Sequence, residues 1–94
     1  MTVRFEWDSR KAASNLRRHG VSFEDAVSVF SDPLAKIFDD EDHPGKEQRE
    51  IIIGHSIRER LLLVSFIQRE GAIRIISARK ATRHERKDYE EGGK

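Results

Sequence analysis

Ninety-four residues are enough for one domain with a single core, and at 36% hydrophobic, 37% charged and a mean hydropathy of −0.71 the chain is polar for a globular protein. The absence of cysteine excludes disulfide staples and thiolate chemistry. With no apolar signal core and no run near the roughly 20 residues that span a bilayer, a cytoplasmic protein without membrane contact is expected. A net charge of +1 says little, but its distribution says more: Asp39-Asp40-Glu41-Asp42 gathers acids, whereas cations gather towards the C-terminus.

The chain opens with Val3, Phe5 and Trp7 alternating against Arg4 and Glu6, the pattern of a short strand with one buried face. Asp8 is placed to cap a helix over about Ser9 to His19, with Ala12, Ala13 and Leu16 as its buried stripe and Gly20 as its left-handed stop. Ser22 caps a second helix whose apolar positions Phe23, Ala26, Val27 and Phe30 fall at i, i+3, i+4 and i+7. Ser31-Asp32-Pro33 ends it. Only Gly20-Val21 separates the two helices, so a tight hairpin follows.

From Leu34 the period becomes that of strands. Leu34 to Phe38 is a short one, closed by the acidic loop and by His43-Pro44-Gly45. Glu50 to Ser56, Leu61 to Ile67 and Ala72 to Arg79 follow, joined by short polar connections that predict an antiparallel meander. Leu61 to Ile67 is apolar on both faces apart from Ser65, as a central strand should be. Thr82 and Glu85 stand at capping-box spacing and open a last helix, almost wholly charged, with Tyr89 its one large packing side chain. Gly92-Gly93-Lys94 reads as a frayed end. The fold class is therefore α+β: an N-terminal short strand and helical hairpin on one face of a small antiparallel sheet, then a C-terminal helix. No second helical layer is left for the sheet's other face.

The functional signal lies where the last strand enters the last helix. Across residues 71–87, Arg74, Arg79, Lys80, Arg83, Arg86 and Lys87 face one acid, Glu85. Cations on the end of a strand can be aimed, and they suit a phosphate backbone. The histidines His19, His43, His55 and His84 lack metal-ligand spacing, and no phosphate loop or nucleophile elbow is written, so neither metal nor cofactor is expected. RNA cleavage needs neither, because the nucleophile is the substrate's own 2′-hydroxyl. The protein must hold the backbone in line, stabilise the transition-state charge and move protons.

The expected catalytic set is His55 (or, failing it, Tyr89) for proton transfer, with Arg79 and Lys80 on the scissile phosphate and Arg74 nearby. Arg49, Arg83 and Arg86 would bind RNA. Alternation groups Arg74, Ile76, Ala78 and Lys80 on one face of the strand and Ile73, Ile75, Ser77 and Arg79 on the other. On the neighbouring strand, Arg49, Ile51, Ile53 and His55 share a face. Blander roles compete for the same residues: a solvated helix face for the cations, an exposed sheet position for His55, an anchor for Tyr89.

Phe5-Glu6-Trp7-Asp8, Lys11, Asn15, His19-Gly20-Val21-Ser22-Phe23, Ala26, Phe30 and Asp32-Pro33, followed by Arg74-Ile75-Ile76-Ser77-Ala78-Arg79-Lys80-Ala81-Thr82 and Glu85, resemble the BrnT toxins of type II toxin–antitoxin pairs. The resemblance runs from Phe5 to about Glu90 and implies a single RelE-like domain over residues 1–94. It also implies a ribonuclease that arrests translation and a hetero-oligomer with a BrnA-type ribbon-helix-helix antitoxin. That complex would repress its own operon, touching operator DNA through the antitoxin. The competing function is a non-catalytic nucleic-acid-binding or partner-binding module of a transcriptional repressor complex.

Overall fold

A computed structural model describes residues 3–40 and 48–92. His43-Pro44-Gly45, the Glu41-Asp42 half of the acidic loop and Gly93-Lys94 lie outside the described residues. Strands β1 (Arg4–Glu6), β2 (Lys36–Asp39), β3 (Glu50–His55), β4 (Leu61–Arg69) and β5 (Ala72–Lys80) form one sheet in the order β1-β5-β4-β3-β2. Helices α1 (Ser9–His19) and α2 (Phe23–Ser28) lie on one face, and α3 (Arg83–Glu90) follows β5. Strands β2 to β5 pair antiparallel as expected, but β1 adds to β5 in parallel, so the sheet is mixed. Among the described residues no helix is long and apolar enough to cross a membrane.

Local chemistry explains the elements. The Asp8 carboxylate accepts the N–H groups of Arg10 and Lys11 at 2.8 and 3.1 Å and starts α1. Gly20, at φ +69°, ends it with its N–H on the Leu16 carbonyl. The Ser22 hydroxyl accepts the Asp25 N–H and starts α2. That helix stops at Ser28 and tightens into a 3-10 turn over Val29–Ser31, which puts Val29 rather than Val27 fully in the core. Arg60, from the β3–β4 turn, donates twice to the buried Asp25 carboxylate and once to the Gly20 carbonyl, tying that turn to the hairpin. Glu70 and Gly71, at φ +50° and +79°, make the two-residue turn between β4 and β5.

The main core lies between the hairpin and the sheet: Val21, Phe23, Ala26 and Val29 meet Ile52, Leu62, Val64, Phe66, Ile75 and Ala78. Phe30 joins Phe5 to Phe66, with ring centroids 5.2 and 5.1 Å away. Two expectations for α1 fail. Ala13 and Leu16 are exposed, Leu16 by 51%, and the buried residue of the helix is Asn15. Its amide donates to the Ala78 and Val21 carbonyls and accepts the Ala78 N–H. Asn15 thereby satisfies β5 where the short β1 has already ended.

The second face also differs from expectation. A β-bulge in β5 opposite Ser65 makes Ser65 pair with Ser77 and Phe66 with Ile75, so Ile76 is the extra residue. The slip reverses the alternation below it. Ile75 therefore joins Ala78 in the core, and Arg74 shares a face with Ser77 and Arg79 rather than with Ala78 and Lys80. That face is not bare, because Tyr89 of α3 and Ala81 pack on Ile53, Leu61 and Leu63.

Candidate functional site

The sheet face beneath α3 is laid out in rows. Lys36, Ile53, Leu63 and Arg79 are successive partners across β2, β3, β4 and β5. This row has a cation at each end and two apolar side chains between. His55 and Leu61 form the next row. Helix α3 stands over these rows and leaves a groove of about 450 Å³ whose lining includes Lys36, Phe38, Ile51, Arg79, Asp88 and Tyr89. That volume falls within the range of small-ligand pockets.

Asp32 ties the site together. Its Oδ2 accepts the His55 backbone N–H at 2.7 Å, and its Oδ1 accepts that of Leu34 at 2.9 Å. The Tyr89 hydroxyl lies 3.3 Å from both Asp32 Oδ2 and the Leu34 carbonyl and donates between them. His55 Nδ1 is 3.8 Å from the same Oδ2. These backbone N–H bonds, first that of His55, hold the Asp32 carboxyl below its ordinary range. The close approach needs Gly54, where an added Cβ would stand 2.8 Å from Ala35 Cβ and 3.0 Å from Asp32 Oδ2. Around this hub the His55 and Tyr89 rings meet edge to face, centroids 5.6 Å apart, and Lys36 Nζ lies 5.6 Å from the centre of the Tyr89 ring. Burial, with the nearby Asp32 charge, pushes the Tyr89 phenol up, so it stays protonated at neutral pH.

Arg79 is held differently. Its guanidinium makes a fork with Glu85, at 2.8 and 2.9 Å, and donates to the Lys80 carbonyl. Three of its five N–H donors are engaged, and two remain. The Glu85 carboxylate also accepts the Thr82 N–H, so one side chain both caps α3 and docks it on β5. The Arg79 hydrogen bonds, with a further contribution from Thr82, draw the Glu85 pKa down to about 2. Lys36 and Arg79 thus share the groove with Glu85 and Asp88.

The fold brings His55 against Tyr89 and places Arg79 on the same sheet face but beyond Tyr89, three residues that sequence reasoning named on separate segments. His55 and Arg79 share a face two strands and one row apart, about 12 Å between Cα atoms from standard strand spacing and rise. Tyr89 stands between them: Arg79 lines the groove on one side, whereas His55 opens on the other beside Ser28, Asp32 and Ile57. Lys80 does not join Arg79. It is registered against Leu62, whose side chain lies in the hairpin-covered core. Arg74 lies about 16 Å further down β5 and is paired with Glu6 at 3.0 Å. Arg49, six residues before His55, is about 20 Å along the strand from it. Arg83 and Arg86 lie exposed on α3, with Arg86 3.7 Å from Glu90. Lys36 and Asp32 were missed. Lys36 carried a signal, since it alternates with Phe38 and so shares its face. Asp32 looked like a helix terminator. Among the described residues no His, Cys, Asp or Glu cluster could hold a metal ion.

These features define a small α+β protein with a largely apolar groove, edged by charged side chains, on the sheet face opposite its helical hairpin. The family model "Ribonuclease toxin, BrnT, of type II toxin-antitoxin system" matches residues 7–85, and the chain belongs to that family. The crystal structure of the Brucella abortus ribonuclease toxin BrnT is similar at a TM-score of 0.67 and 29% identity, covering 87% of this chain and 100% of that one. No curated protein matches.

Proposed function

We infer that this chain is an endoribonuclease that cuts single-stranded RNA without a metal ion, arrests translation, and is neutralised by a BrnA-type ribbon-helix-helix antitoxin. The complex of the two represses their own operon. Family membership supports the ribonuclease class and an antitoxin partner. The observation that carries the chemistry is the meeting of His55 and Tyr89, from β3 and α3, on the face that holds Lys36 and Arg79. His55 takes the 2′-hydroxyl proton as the 2′-oxygen bonds to phosphorus. The P–O5′ bond breaks, and the departing oxygen takes a proton from Tyr89, a phenol at neutral pH. The free N–H groups of Arg79 and the Lys36 ammonium face the growing phosphorane charge. In this reading Lys80 and Arg74 lie outside the reacting cluster.

Digestion of RNA by the purified protein in EDTA tests the reading. Wild type should cut, and His55→Ala should cut about 10²–10⁴-fold more slowly. Near-normal cleavage by both His55→Ala and Arg79→Ala would remove the assignment. One observation favours the non-catalytic alternative: the two groove cations face two acids, Glu85 and Asp88, which weakens the groove as an anion trap. That alternative predicts salt-sensitive retention of RNA, no cleavage, and no growth arrest on expression without antitoxin.

A further inference from the structure

Helix α1 presents an unbalanced cationic surface away from the α3 groove. Arg10, Lys11, Arg17, Arg18 and His19 are all exposed, the helix contains no acid, and none of the five forms an ion pair among the described residues. Stability accounts for only part of this. Arg17, Arg18 and His19 suit the negative end of the helix dipole, whereas Arg10 and Lys11 occupy the first turn, where the dipole disfavours cations. Only the Asp8 cap offsets them. A local arrangement that runs against helix stability is expected where a function requires it.

The cations border a built groove. Lys11, Ser14, Arg18 and His19 of α1 line it with Ser77 of β5, just past the point where β1 stops pairing. Lys11 and Arg18 are seven residues apart on one side of the helix, about 10.5 Å along its axis. A peptide strand finds little to pair with here. Asn15 already takes the Ala78 N–H and C=O, and the bulge interrupts the ladder opposite Ser65. What the groove offers is ammonium, guanidinium, imidazole and hydroxyl groups, the side chains that bind phosphate oxygens.

We propose that α1 and the adjoining edge of β5 form a second RNA-binding surface, which holds the phosphate backbone of single-stranded RNA outside the reacting site. The idea deepens the ribonuclease reading and rests on it for the identity of the polyanion. It accounts for a toxin whose α3 groove is balanced in charge: affinity for the backbone comes from one surface and chemistry from another.

The test is the salt dependence of binding to a single-stranded 2′-O-methyl RNA, which lacks the nucleophile and is not consumed. Lys11→Gln/Arg18→Gln should lower the slope of log K against log salt by about 1.4, two phosphate contacts at about 0.7 each. If the double variant does not fold, Lys11→Gln alone, which removes a cation the dipole disfavours, should lower it by about 0.7. On long RNA the variant should raise KM and leave kcat unchanged. An unchanged slope overturns the proposal. So does a variant that binds RNA normally but loses antitoxin affinity, which would assign the surface to a protein partner. Wild-type protein that shows the full slope but cuts no RNA refutes the ribonuclease reading and leaves this surface standing. Cleavage with an α1-independent slope does the reverse.

Discussion

Leu62 and Leu63 are neighbours in β4 that point to opposite faces of one sheet, and the two faces are built differently. Leu62 enters a dry core shared by the hairpin and four strands, closed by three aromatic contacts. Leu63 forms part of the floor of a groove under a short helix with no fully buried residue, held by one ion pair, a tyrosine and a small apolar cluster. The first face has the packing that stability requires. The second keeps open what binding requires, and its charged and polar groups are fixed by one another rather than by burial.

The largest expected effect contrasts these two leucines. Leu62→Ala should destabilise by about 3 kcal/mol, a fully buried deletion with little room to relax. Leu63→Ala, at 9% exposure beside the groove, should cost about 2 kcal/mol and impair RNA cleavage more than its stability loss explains. Chemical denaturation of both, with cleavage measured well below their midpoints, is the check. Equal losses of stability would abolish the distinction between a closed and an open face.

Next comes Asn15→Ala, which leaves the Ala78 N–H and two carbonyls without partners at a buried junction. A loss of about 2 kcal/mol is expected. Asn15 also shows how far the sequence could be read. The helices were legible because their ends are chemical signals: Asp8, Gly20, Ser22 and the Thr82–Glu85 box act as their spacing predicts. The meander was legible because its apolar runs are separated by short polar turns. Residues whose partners lie far along the chain were not. Asn15 in an amphipathic helix gives no hint that it will take a strand's place beside Ala78, 63 positions away. The parallel docking of Phe5 beside Ile73 has no local signature either. The bulge at Ile76 mattered most for the site, because one extra residue regrouped Arg74 with Arg79 and defeated a strict alternation. Counting cations along residues 71–87 also overstated the charge trap. Glu6, Glu85 and Glu90 pair with Arg74, Arg79 and Arg86 in space.

A smaller effect is expected from Tyr89→Phe. It removes the hydroxyl shared by Asp32 and the Leu34 carbonyl but keeps the ring against His55 and Lys36, so stability should fall by only about 1 kcal/mol. Cleavage should fall by about 10²-fold if the phenol is the proton donor. A variant that cuts as fast as wild type would leave Tyr89 as an anchor of α3 and return the proton to solvent.

The smallest effect separates the faces by pH. Glu85 titrates near 2 in the folded chain against 4.5 when unperturbed. Its ionised form therefore stabilises the fold fully above about 4.5, and this contribution is lost as pH falls towards 2. Because the Arg79 side chain is 42% exposed, solvent screening keeps the contribution to about 1 kcal/mol. Protonation weakens both the Arg79 fork and the Thr82 cap, so α3 should loosen from the sheet before the hairpin core gives way. The single tryptophan and single tyrosine report the two faces separately, Trp7 packing on Phe23 in the core and Tyr89 on the groove. On acidification the Tyr89 signal should change first, with Trp7 following at lower pH, and Glu85→Gln should remove the early phase. If both signals move together in wild type, α3 unfolds with the core, and the open face is no less stable than the closed one.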